Sequence, residues 1–165
     1  MRLSYPTLPR VLLTGACAGL LSALALGRRG RQDAGSALVP LNAPSHWLYG
    51  AKALHQPRPS WRHTATGLLI HQASSMMWAA LFDRVLGSTP TPSTASLARK
   101  AALVTGVAAF VDFKAVPERL TPGFEHGLSR KSLVLTYGAF AGGLLLGAML
   151  WRGAQEKPTD VLAQA

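Results

Sequence analysis

The sequence predicts an all-α integral membrane protein, a bundle of four transmembrane helices with a short interfacial helix in the first connection. Three observations carry this. Hydrophobic residues make up 48% of the 165 residues and charged residues only 15%, and the two kinds are segregated, apolar runs alternating with stretches that hold the charge, proline and aromatics. Basic residues flank the runs: Arg28, Arg29 and Arg31 after the first, Arg99 and Lys100 before the third, Arg130 and Lys131 before the fourth. Small residues recur four apart within the runs, which suits helices packed closely in lipid.

One membrane domain is expected over residues 1–152, followed by a polar tail over 153–165. The spans fall at about 11–27, 64–86, 101–116 and 133–151. The first, "VLLTGACAGLLSALALG", is at the short end for crossing a bilayer. Ala23 and Ala25 would make a weak signal-peptide cleavage site, but the "GRRGR" that follows acts as a stop and favours a retained span. Gly15 and Gly19 give it a small-residue packing face. The second span closes at Asp83 and Arg84. The third, "AALVTGVAAFVDFKAV", is interrupted by Asp112 and Lys114 and ends at Pro117, so it needs a packed neighbour or a wet cavity. The fourth holds two GxxxG pairs, Gly138/Gly142 and Gly143/Gly147, which serve packing inside the monomer or, as the alternative, a dimer.

The connections differ in kind. Residues 87–96, "GSTPTPSTAS", read as an uncharged solvated linker. The first connection carries Trp47, Tyr49 and Trp61, amphipathic aromatics suited to the headgroup layer, with a short helix near 46–54 lying at the interface. The third turns at Thr121-Pro122-Gly123, and Ser129 suits the cap of the fourth helix. Ten of the 17 basic residues lie in the first and third connections when Lys114 is counted with them. The bias places those connections in the cytoplasm and both termini on the periplasmic side.

A formal charge of +10 raises nucleic acid as a partner. The basic residues flank spans instead of forming one face with interleaved aromatics, so the lipid bilayer is the expected partner and nucleic acid is not. A membrane-protein partner or a second copy is the further candidate. The single cysteine, Cys17, excludes an internal disulfide and any cysteine-based zinc site. No H-E-x-x-H, G-x-S-x-G or P-loop occurs, and no histidine pair has i, i+4 spacing. Neither a metal nor another cofactor is expected, and the absence of motifs argues against an enzyme.

The polar residues within the spans are the candidate site. Gly67, His71, Ser75 and Ala79 recur every four residues and form a narrow small-and-polar stripe on the second span. Close approach at Gly67 would bring a neighbouring helix to His71. Asp112 lies within about one helical turn of the same depth and is the best candidate partner. His63 and Lys114 lie toward the same side, as do His46, His55 and His126. His63 and His71 are about 12 Å apart along a straight helix and cannot share one ion. A His71–Asp112 contact would serve a proton relay or an ion site, or it would simply lock two helices together, since unpaired polar groups are costly in lipid. Lys114 can reach the headgroups unaided.

The blocks "LNAPSHWLYG", "RHTATGLLIHQASSMMWA" and "FVDFKAVPERLTPGFE" resemble those of small multi-pass bacterial inner-membrane proteins of unassigned function. The resemblance implies four helices and a bacterial inner (cytoplasmic) membrane, and no activity. The leading functional expectation is a non-enzymatic accessory or assembly role. The alternative is binding or transport of a proton, an ion or a small cofactor through His71 and Asp112.

Overall fold

The computed structural model describes residues 8–87 and 92–155. The centre of the Ser/Thr/Pro linker and most of the polar tail lie outside the described residues. Every regular element among the described residues is helical: α1 Leu8–Asp33, α2 Leu38–Asn42, α3 His46–Tyr49, α4 Thr66–Leu86, α5 Thr94–Phe110 and α6 Arg130–Gln155. Wider π-helical turns lead into α4 at Trp61–Ala65 and extend α5 at Val111–Ala115.

Three helical segments are long and apolar enough to cross a membrane, Leu8–Asp33, Thr94–Ala115 and Arg130–Gln155. The exposed surface agrees. Leu20 and Leu24 of α1 are 62% and 70% exposed, and Leu69, Leu103, Phe110 and Val134 also point outward. Thr14, Ser22, Ser75, Thr105, Ser132 and Thr136 are buried. A soluble bundle would reverse this arrangement; apolar outside and small or polar inside is the pattern of a membrane protein. At 21 residues α4 is long enough to join the three, but His71, Gln72, Ser74, Ser75 and Asp83 lower its hydropathy below theirs.

Helix ends correct several expected boundaries. α1 continues through "GRRGR" to Asp33 and stops where Gly35 takes φ +68, with Ala34 and Ser36 donating backbone hydrogen bonds to the Gly30 carbonyl. That left-handed residue ends the helix at low steric cost. α5 begins at Thr94, ahead of the expected residue 101, because Ser93 accepts a hydrogen bond from the Ser96 N–H at 3.2 Å. α6 begins at Arg130, where Ser129 accepts from Ser132 N–H at 3.3 Å. The third segment ends as Val116 turns extended before Pro117. The single short helix expected near 46–54 is instead two short pieces, α3 and a 3-10 turn at Ala51–His55, separated by Gly50 at φ +74.

α1 occupies the centre of the packing, with α6 on one side and α4 on the other, while α5 closes against α6. Small residues permit this. A β-carbon on Gly143 would meet the Ala18 backbone and the Cys17 carbonyl, and one on Gly147 would lie 2.5 Å from Thr14 Cα. On the other side, Gly15 faces Met76 and Ala79, and Gly19 faces Gln72, whose Nε2 donates to the Gly15 carbonyl at 3.0 Å. Gly138 and Gly142 differ: a β-carbon on either would meet nothing within 4 Å. Of the two GxxxG pairs, only Gly143/Gly147 is used inside the monomer.

The connections form a cap at one end of the helices. Asn42, fully buried, donates to the carbonyls of Gln56 and Arg58 at 2.8 and 3.1 Å and accepts from Thr64 Oγ1 at 2.8 Å. Trp47 Nε1 donates to the Thr121 carbonyl at 2.8 Å, joining the first connection to the third. Gly123, at φ +84, lies against the His46 ring, where a side chain would be both strained and crowded.

Candidate functional site

The stripe Gly67, His71, Ser75, Ala79 faces α1 and the cap. Gly67 packs on Leu41 and Asn42, and Ala79 lies near Gly15. His71 meets α1 through its Nε2, which lies 2.9 Å from Ser22 Oγ and 3.3 Å from the Gly19 carbonyl. The Ser22 hydroxyl proton is already committed to the Ala18 carbonyl at 2.7 Å. Nε2 therefore donates in this network, and in the neutral ring Nδ1 is an acceptor. Among the described residues Nδ1 has no hydrogen-bond partner.

Asp112 does not bond to His71, which corrects the expected pair. The π-helical turn at Val111–Ala115 carries Asp112 toward α6, where it accepts a hydrogen bond from Tyr137 Oη at 2.7 Å. His71 bonds to α1 instead, because α4 packs far more extensively on α1 than on α5. Lys114 is exposed and forms no ion pair with Asp112.

His71 and Asp112 nonetheless line one cavity of about 370 Å³. α4 supplies Ile70, His71, Ser75, Met77 and Trp78, and α5 with its π-helical turn supplies Ala108, Val111 and Asp112. Thr136, Tyr137 and Phe140 of α6 form the wall toward α5, while Trp47 and Phe124 reach in from the cap. α4 and α5 meet near their shared loop, where Phe82, Leu86, Leu97 and Ala101 share a core and Lys100 Nζ donates to the Leu86 carbonyl at 3.1 Å. Toward the cap, residues of α4 and α5 instead border this space. Exposed Met77 and Leu120 lie at its margin. The walls are mainly apolar, with a few polar groups converging, the usual character of a small-molecule pocket.

One of those polar groups was not anticipated. Thr136 is 3% exposed and its hydroxyl has no partner among the described residues. A helical threonine ordinarily bonds back to the preceding turn, so no motif in the sequence marks it. Glu125 was missed for a similar reason. It sits in the 3-10 turn Phe124–His126, near Asp112 and Tyr137, and its Oε2 is buried without a partner among the described residues.

No known protein family, curated protein or solved structure matches the chain. The functional reading rests on the residues themselves.

The remaining sequence candidates lie elsewhere. His63 belongs to the cap, with Nδ1 3.2 Å from Ser45 Oγ and its ring edge-on to Tyr49 at 5.5 Å. Tyr49 also lies beneath the Arg62 guanidinium at 4.5 Å. His46 Nδ1 is 2.8 Å from the Ala43 carbonyl, and His126 lies 4.0 Å from Glu125. Of the three aromatic anchors, only Trp61 is fully free of the protein surface, at 90% exposure. Ser75 donates to the His71 carbonyl at 2.8 Å while lining the cavity. Among the described residues, no three His, Cys, Asp or Glu side chains converge on a metal position.

Proposed function

We propose that this is a non-enzymatic, multi-pass membrane protein that binds a small molecule in the cavity between α4, α5 and α6. In this reading α4 is a fourth span, shielded from lipid on its polar side by α1, with both termini periplasmic and the cap on the cytoplasmic side of a bacterial inner membrane. The π-helical and 3-10 turns of the first connection then lie at the interface. One observation carries the binding reading: a cavity of small-molecule size is lined by His71, Asp112 and Thr136, and the Thr136 hydroxyl is buried at that wall without a partner among the described residues. A buried polar group without a partner costs roughly 1–3 kcal/mol, and a ligand that bonds to it removes that cost. A direct proton relay from His71 to Asp112 is less favoured, since each holds a different partner.

Native mass spectrometry of protein taken from its own membranes into lipid nanodiscs tests this. The wild type should carry a small molecule, and Thr136→Val, which keeps shape and removes the hydroxyl, should carry much less. Ligand-free Thr136→Val should be at least as stable as wild type. A bare wild-type protein, or a bound molecule indifferent to Thr136→Val, would contradict the reading.

A second observation supports the accessory role. Gly138 and Gly142 are open on the outer face of α6, beside exposed Leu135 and Leu146, and such a face allows close approach by a partner's helix. Cysteine at position 142 should cross-link to another membrane protein in native membranes, while cysteine in place of the buried Ala148 should not; equal yields at both positions would remove this role.

A further inference from the structure

We infer that the cavity selects a lipophilic organic cation, of the quaternary ammonium or hindered amine class, with its charge held against Asp112. The inference rests on the binding reading above and adds the charge and shape of the ligand.

The wall chemistry points this way. Trp47, Trp78, Tyr137 and Phe140 all border the space, and aromatic faces attract cations. The polar residues of the cavity wall carry acceptors or groups that can act as such. Tyr137 occupies Oδ2 of Asp112 and leaves Oδ1 without a partner among the described residues. His71 offers the bare Nδ1, and the Thr136 hydroxyl can accept as well as donate. Glu125 adds a second carboxylate close to the first.

The titratable groups nearest Asp112 are Tyr137, Glu125, His71 on the same cavity wall and, beyond Glu125, His126. Among the described residues no Lys or Arg lines the cavity, although the chain as a whole carries a formal charge of +10. One part-buried carboxylate in the wall, with a second close behind it and no ion-pairing Lys or Arg, favours a cationic guest over an anionic or neutral one. The apolar walls and the exposed Met77 and Leu120 at the margin favour a guest whose body is hydrophobic.

Tetraphenylphosphonium and tetraphenylborate share size and shape and differ in the sign of their charge. Each would be titrated into full-length protein in lipid nanodiscs, with empty nanodiscs subtracted. A Trp61→Phe, Trp151→Phe background leaves Trp47 and Trp78, both in the cavity wall, as the fluorescent reporters. The cation should give a saturable change and the anion none. Asp112→Asn, which keeps the Tyr137 hydrogen bond, should weaken the cation at least about tenfold, and Glu125→Gln should weaken it by a smaller factor. Equal binding of cation and anion, or cation binding unchanged in both variants, would overturn the cation assignment while leaving a ligand site. Failure of both probes to bind would overturn the cation assignment too; the binding reading beneath it would fall with it only if the native spectra also show a bare protein.

Discussion

Replacing Gly143 with valine should cost the protein roughly 3 kcal/mol or more. The β-carbon would run into the α1 backbone at Ala18 and Cys17, and backbone cannot rotate away as a side-chain tip can. Overpacking ordinarily costs about 1–3 kcal/mol, and here two helices must separate along their most extensive contact. For a chain of this size that loss corresponds to about 6–12 °C in thermal midpoint. The matched control is Gly138→Val, one turn nearer the start of the same helix, where nothing lies within 4 Å. It should stay within about 0.5 kcal/mol of wild type. Thermal unfolding of the two variants in the same detergent decides the matter, and equal midpoints would mean that α1 and α6 do not pack as described.

Arg10→Ala should be the other large loss. Arg10 pairs with Asp83, which is only 3% exposed. The charges sit where their own helices disfavour them, Arg10 in the first turn of α1 and Asp83 in the last turn of α4. A helix N-terminus repels a cation and a C-terminus an anion, so each residue is tolerable only beside the other. Removing one partner of a buried pair costs about 3–5 kcal/mol, and the lower end applies because the Arg10 side chain keeps 21% of its surface exposed. The double variant Arg10→Met, Asp83→Leu should recover most of that stability, since it leaves no unpaired charge. A midpoint unchanged in Arg10→Ala, or a double variant as poor as the single, would show that the pair contributes nothing.

The two sites also show what could be read from residue order. The Gly67, His71, Ser75, Ala79 stripe announces a packed face because helical geometry fixes which side chains share a side. Which helix covers that face is a separate matter. Depth alone suggested Asp112 for His71, and the nearer group turned out to be Ser22. Ser22 looks unremarkable in an apolar run, and only the close approach of α1 and α4 makes it a partner. The GxxxG pairs make the same point: Gly138/Gly142 and Gly143/Gly147 are indistinguishable as motifs, yet they point to opposite sides of α6.

Sequence by itself determined the membrane character, the helical elements and the gathering of His71 and Asp112 toward one end. These follow from local properties: the length and apolarity of the runs, the period of the helix, and the proline and glycine stops. Tertiary structure alone decided that α1 lies at the centre, that Asp112 belongs to Tyr137 and His71 to Ser22, and that the two candidates border one cavity with Thr136. The physical reason is that a helix presents several faces at once, and its partner on each face is chosen by the fit of small residues far away in the chain.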